Sequence, residues 1–206
     1  MSQDPTMLTV YVDKVDGGDI YTAIGKSVGV DRNSAKTLVL SILYGVGTKK
    51  VARDINKTEK EAKALLAAFS AKYPAVGAYR NRVLAVTRKN RPPYVATIMG
   101  RRRYLPDILA SDDWLRAKAE RQAFNARIQG SAADIIKLAM VRAFDMLPKD
   151  AHMILTVHDE LVVLTPDTIV DEAVTALREA MEDIHVLQVP LIADIKIVQR
   201  WGEAKS

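Results

Sequence analysis

Over residues 154–164 the chain reads Ile-Leu-Thr-Val-His-Asp-Glu-Leu-Val-Val-Leu, two short apolar runs around three consecutive polar residues. Apolar, β-branched runs of that length on either side of a tight polar break predict a half-buried antiparallel hairpin. Most of the chain upstream carries helical signals. The hairpin therefore commits the chain to an α+β architecture, with helices first and a small antiparallel sheet late. The break holds no Gly or Asn, so His158-Asp159-Glu160 is a poor choice if turning is its only task. Two adjacent carboxylates beside an imidazole, between strands expected to be buried, need a cation, a hydrogen-bond network or open solvent. Two readings stay open at this level: an exposed hairpin tip, or an acidic site.

The upstream helices are marked by their ends. Asp31 is placed to N-cap a helix over 31–44, which Gly45 and Gly47 terminate. A short helix is expected over 49–55. Thr58 with Glu61 is a capping-box pattern opening a helix that reaches Tyr73 before Pro74. A basic helix follows over 76–89, Pro92-Pro93 breaks it, and 94–99 reads as a strand. Residues 112–147 are strongly helical, with an interruption expected at Gly130. Beyond the hairpin come a helix over 168–184 and a closing strand over 191–198. No repeat, low-complexity tract or long Pro/Gly linker divides the chain.

Its 206 residues fit one domain or two small subdomains. The absence of cysteine excludes disulfides and thiolate metal sites, and three histidines are too few for a typical zinc site. No run approaches the ~20 apolar residues of a membrane span. The N-terminus lacks the basic and apolar regions of a secretion signal, so a cytoplasmic protein without membrane contact is expected. A formal net charge of +5 permits a polyanionic partner without requiring one.

Two helices carry polar stripes. Arg32, Lys36, Leu40 and Tyr44 stand four apart and share one face. Two cations a turn apart at a helix start suit a triphosphate, aided by the positive end of the dipole, and an aromatic two turns on can stack on a base or sugar. On spacing alone the same pattern is a solvated face. Arg121, Asn125 and Gln129 repeat the interval on the later helix, where guanidinium and amide groups can reach minor-groove acceptors common to all base pairs. Arg101-Arg102-Arg103 is, in isolation, a solvated loop or a nonspecific phosphate contact.

Taken together these segments resemble family A DNA polymerases, the family of bacterial DNA polymerase I. Arg32-x3-Lys36-x7-Tyr44-Gly45 is similar to the family's fingers-helix motif. Glu120-Arg121-x3-Asn125-x3-Gln129-Gly130-Ser131-Ala132-Ala133-Asp134 and Gly100-Arg101-Arg102-Arg103-Tyr104-Leu105-Pro106-Asp107 resemble two further motifs. His158-Asp159-Glu160 resembles the hairpin that carries one of two metal-binding aspartates. Gly17-Gly18-Asp19-Ile20-Tyr21-Thr22 is similar to a Gly-x-Asp-Ile-His-Thr segment, with Tyr21 where His is usual. The likeness covers nearly all of the chain.

The resemblance implies a helical fingers subdomain over 31–110, a lead-in over 1–30 and the C-terminal part of a palm over 111–206. It implies primer-template DNA and deoxynucleoside triphosphates as partners, and Mg2+ held by Asp159 and Glu160 together with a carboxylate outside this chain. Arg32 and Lys36 bind the triphosphate, with Lys36 a general acid toward pyrophosphate, and Tyr44 guards the nascent pair. Arg121, Asn125, Gln129 and His158 face DNA, as do Arg101, Arg102 and Arg103 along the template backbone. Asp134 is structural. Leu40 departs from the pattern, since the DNA enzymes usually carry Phe or Tyr there against the sugar.

The family's first motif, Asp-Tyr-Ser-Gln-x-Glu-Leu-Arg, does not occur in the sequence, and none of the early carboxylates Asp13, Asp16 and Asp19 sits in a counterpart of it. The expectation is a C-terminal portion of a polymerase, inactive alone. It needs an upstream fragment that carries the first catalytic motif and the thumb, as in a split phage or bacterial enzyme. Two other classes compete. A single-subunit RNA polymerase shares the fingers spacing and a non-aromatic residue at Leu40, but usually has His-Asp-Ser at the hairpin. A non-catalytic DNA-binding or assembly module keeps the surface and loses the chemistry.

Overall fold

A computed structural model describes residues 1–13 and 19–205. Asp16 and the Gly17-Gly18 pair lie outside the described residues. The chain is α+β, with eight helices and two separate two-stranded antiparallel sheets among the described residues. It divides into two compact units, Met1–Ile128 and Gln129–Ser206.

The first unit is built from helices with legible ends. Helix α1 (Pro5–Val12) starts at Asp4, whose carboxylate accepts the N–H groups of Thr6 and Met7. Helix α2 (Ile20–Val28) is capped by Asp19, and α3 (Arg32–Tyr44) by Asp31. After α4 (Thr48–Asp54), α5 (Glu59–Lys72) opens on a complete capping box between Thr58 and Glu61. Helix α6 (Pro74–Lys89) starts two residues earlier than expected, because a proline at the first helical position gives up an N–H that has no partner there anyway.

These helices enclose one core of Ile24, Ala35, Leu38, Val51, Phe69 and Tyr73. A second core gathers Tyr79, Val83 and Leu84 of α6 with Val95, Leu105, Ile108 and, from the next long helix, Ala123 and Phe124. The strand expected over 94–99 is shorter: β1 (Tyr94–Ala96) pairs with β2 (Arg102–Tyr104). Arg102 and Arg103 thus lie on a strand rather than in a turn. The Tyr94 and Tyr104 rings meet edge to face across the pair at 6.0 Å.

Helix α7 (Asp113–Met146) runs unbroken through Gly130, correcting the expected interruption. A helical glycine costs about 1 kcal/mol relative to alanine, too little to break a helix with strong formers on both sides. In the second unit, α7 is followed by β3 (His152–Val157), β4 (Glu160–Leu164) and α8 (Val170–Glu182). The hairpin is present but its strands are not buried as expected, for Ile154, Leu155 and Leu164 are exposed. The closing strand over 191–198 is absent. Leu191, Ala193 and Ile195 are half-buried in alternation with exposed neighbours, yet no ladder forms, and the Ala193 N–H donates to Glu182 Oε1 at 2.8 Å instead. No helix among the described residues is long and apolar enough to cross a membrane.

Candidate nucleotide and nucleic-acid site

Helix α3 turns Ala35, Leu38 and Ser41 into the core. The opposite face carries the first stripe: Arg32, Lys36 and Tyr44 are exposed, and Leu40 is half-buried between them. The burial pattern forces this, since small and branched apolar residues recur on one side and long cations on the other.

The helix start is already in use. Asp31 accepts the N–H groups of Asn33 (2.9 Å) and Ser34 (3.0 Å) and the Ser34 hydroxyl (2.5 Å). The Ser34 hydroxyl and amide hold the Asp31 carboxyl below its ordinary range. An anion at this helix start therefore depends on side chains more than on free amides.

Arg32 is engaged as well. Its Nε donates to Asp19 Oδ2 at 2.5 Å, and its guanidinium lies 5.7 Å from the centre of the Tyr21 ring. Asp19 also accepts the Thr22 hydroxyl at 2.6 Å and the Tyr21 N–H at 3.1 Å. The Thr22 hydroxyl first, then Arg32, draw its pKa down to about 2. Asp19 is thus a helix cap and ion-pair partner with three donors around it. The Tyr21 contact had no signal in the sequence beyond the departure from His.

The second stripe begins on the α7 portion of this unit. Arg121 and Asn125 are half-buried, and Asn125 Oδ1 is enclosed without a hydrogen-bond partner. Gln129 is exposed and Asp134 is buried. Arg121 packs its stem against Gly45, the residue after Tyr44: a Cβ on Gly45 would lie 2.6 Å from Arg121 Cγ. The ends of the two stripes, separate in the sequence, meet at this glycine.

Arg101, Arg102 and Arg103 are exposed, and the Arg102 guanidinium stacks 4.6 Å from the Tyr94 ring centre. Two other basic residues are structural. Arg88 binds Glu120 at 2.5 Å, and Arg127 donates to the Tyr79 hydroxyl and the Ala96 carbonyl, both at 2.8 Å. Asp4, 1% exposed, has a second role in sending Oδ2 to the Ala75 N–H at the start of α6. Its Asp-Pro-Thr context was a readable cap signal; the partner across the chain was not.

In the second unit, β3 and β4 pair with Val157 opposite Glu160, so the turn is His158-Asp159 alone and Glu160 begins a strand. His158 has φ of 57°. Positive φ at the first of two turn residues is the type II′ pattern, in which glycine is ordinary and histidine is strained. The strained turn and the first residue of β4 carry three exposed polar side chains, His158, Asp159 and Glu160. Among the described residues no group of three His, Cys, Asp or Glu gathers that could hold a metal. Asp159 and Glu160 are nevertheless hard oxygen donors of the kind Mg2+ takes one or two at a time, with phosphates and water completing its shell. The donor set fits Mg2+ and does not fit zinc.

The comparisons agree with one another. The DNA polymerase family A model matches residues 1–203. The thermostable DNA polymerase I of Thermus filiformis is 39% identical over 85% of this chain and 21% of its own length. That of Thermus thermophilus is 37% identical over the whole chain and 25% of its own. The chain thus spans about a quarter of the relatives it matches. Among solved structures, the POL domain of Pol1 from M. smegmatis, in complex with DNA primer-template and dNTP, superposes with a TM-score of 0.82. It is 30% identical over 92% of this chain and 35% of that one. The chain belongs to DNA polymerase family A.

Proposed function

We propose that this chain supplies the nucleotide-binding helix, the primer-template helix and one metal-holding hairpin of a template-directed DNA polymerase. The observation that carries this reading is the solvent face of α3, where two exposed cations and an exposed aromatic follow one another at helical spacing. Residues 31–110 act as fingers and 111–206 as the C-terminal part of a palm, with 1–30 leading in. DNA primer-template and deoxynucleoside triphosphates are the substrates, and polynucleotide one residue longer plus pyrophosphate are the products.

Arg32 and Lys36 bind the triphosphate oxygens. Arg32 does so by exchanging its Asp19 partner for phosphate, and Lys36 Nζ gives a proton to the departing pyrophosphate oxygen. Tyr44 stacks on the new base pair, with Leu40 beneath the sugar. Arg121, Asn125 and Gln129 read duplex geometry near the primer end, His158 adds a contact, and Arg101 to Arg103 bind template phosphates. Asp159 holds Mg2+ with help from Glu160. When bound, two such ions lower the barrier to attack by the primer hydroxyl and stabilise the leaving phosphate. The remaining carboxylate, and the thumb that encloses the duplex, come from a polymerase segment outside this sequence.

Primer extension tests the reading. The purified chain alone is expected to bind a recessed primer-template and extend it negligibly. Mixed with an upstream fragment of a family A polymerase that carries the first motif, it extends. Asp159→Ala abolishes that extension and leaves duplex binding in place. Lys36→Ala raises the nucleotide requirement about tenfold or more, since a charge-assisted phosphate contact is worth roughly 1.5–3 kcal/mol. Extension that survives Asp159→Ala removes the hairpin from the chemistry. A mixture that binds DNA but never extends favours the non-catalytic module.

A further inference from the structure

Gly45 closes α3 in the left-handed conformation at φ 62°, and Val46 returns its N–H to Ser41 at 2.8 Å. That geometry favours glycine but tolerates asparagine. Gly29 plays the same part at the end of α2, with φ 75° and its N–H on the Gly25 carbonyl. The two glycines differ in what surrounds them. A Cβ on Gly29 would meet nothing within 4 Å, whereas one on Gly45 would lie 2.6 Å from Arg121 Cγ and 2.9 Å from Cδ. Carbon atoms rest about 3.5–4.0 Å apart, so a side chain at position 45 and Arg121 in its present rotamer exclude each other.

Arg121 is therefore held by its stem. Its head is unspent, making no hydrogen bond or ion pair with any described residue. One turn on, the enclosed Asn125 Oδ1 also lacks a partner. Tyr44, immediately before the glycine, is exposed at the surface. A bare α-carbon thus lies between a nucleotide-facing aromatic and a ligand-ready guanidinium.

We propose that Gly45 is the positioning residue for Arg121. Its missing side chain is the seat that lays the arginine stem across the C-terminus of α3 and fixes where the guanidinium meets DNA. This rests on the assignment of Arg121 to the duplex. A shift of the α3 terminus moves the seat, so the nucleotide helix and the duplex contact are mechanically linked within one unit. The constraint on position 45 is then double, one part backbone conformation and one part the space Arg121 occupies.

The test uses the full chain, a fluorescently labelled primer-template with a recessed 3′ end, and four variants: Gly45→Asn, Arg121→Ala, the two together, and Gly29→Asn as the conformational control. Arg121→Ala is expected to weaken duplex binding about tenfold, the scale of one charge-assisted contact. Gly45→Asn weakens it as much, the double variant loses no more than either single, and Gly29→Asn binds like the parent. Melting temperatures follow the same logic, with Gly45→Asn lower than Gly29→Asn and partly restored by adding Arg121→Ala. The positioning role is overturned, with the duplex contact intact, if Gly45→Asn binds like Gly29→Asn while Arg121→Ala does not. It is overturned too if Gly45→Asn unfolds the chain and Arg121→Ala fails to restore it. A parent chain that binds no duplex, or an Arg121→Ala variant that binds normally, removes the assignment of Arg121 and this inference with it.

Discussion

The two units of this family A chain are packed on different terms. In Met1–Ile128 the buried positions hold bulk: Ile24, Leu38, Phe69, Tyr73 and Phe124 are at most 2% exposed. In Gln129–Ser206 most buried apolar positions are alanines, Ala139, Ala143, Ala151, Ala173 and Ala180, joined by Ile184. The bulk there lies outside, with Phe144 79% and Ile192 77% exposed. Removing apolar area from water contributes roughly 25 cal/mol per Å2, so buried side chains stabilise the first unit more than the second. The polar stripe of α3 thus stands on a bulky core, and the His158 turn stands on a hairpin with little core of its own.

The largest expected effect sharpens this contrast. Phe69→Ala leaves a cavity at a buried core position and costs about 3–5 kcal/mol. Phe144→Ala removes the same ring from an exposed position and changes stability by less than about 0.5 kcal/mol. Denaturant unfolding followed by circular dichroism measures both, and equal losses would break the comparison.

Next in size is the reverse experiment. Ala143 is fully buried in the second unit. If close helix approach is what holds that unit, Ala143→Leu overpacks it and costs about 1–3 kcal/mol. A stabilising Ala143→Leu, read from the same unfolding curves, would mean that the alanine core is loose.

Asp4→Ala comes third and belongs to the first unit. It removes the cap of α1 and strands the Ala75 N–H, costing about 1–2 kcal/mol. Asp4→Asn keeps one acceptor and is expected to lose less. Unfolding of the two variants side by side separates the cap from the charge.

What the sequence made legible follows from how local each signal is. Asp31, and Thr58 with Glu61, announce their helices because a cap is settled within four residues. The face of α3 was readable because the side chains that bury it alternate with those that do not. Strand β2 was missed because Arg102, Arg103 and Tyr104 show no alternation, and their pairing depends on Tyr94 across the hairpin. The buried hairpin was over-read: apolar, β-branched runs form strands whether or not anything covers them. The closing strand failed in the opposite sense, since alternating burial arose without a ladder. No spacing rule could bring Arg121 onto Gly45, or Asp19 onto Arg32, because those contacts depend on how helices pack.

The smallest expected effect compares two carboxylates, half-buried Asp19 and exposed Asp183, each paired with an arginine, one per unit. Asp19 is held by the Thr22 hydroxyl and Arg32, with a pKa of about 2. Asp183 is lowered from its ordinary 3.8 chiefly by Arg142, which donates to it at 2.7 Å, with a smaller contribution from His185. A carboxyl with a depressed folded pKa contributes stability above the unfolded value, and loses it as pH falls through the folded one. For Asp19 the window runs from about pH 4 down to about pH 2. Both contributions are fully present at neutral pH, and as solvent-accessible pairs both are weakened by salt. Carboxyl-carbon NMR titration reads each site separately. Arg32→Ala is expected to raise the Asp19 midpoint without returning it to 3.8, because the Thr22 hydroxyl, the larger cause, remains. Arg142→Ala removes the principal cause at Asp183 and returns that site most of the way. An Asp19 that titrates normally after Arg32→Ala would make the ion pair its dominant tie. It would also raise the cost of freeing Arg32 for a triphosphate.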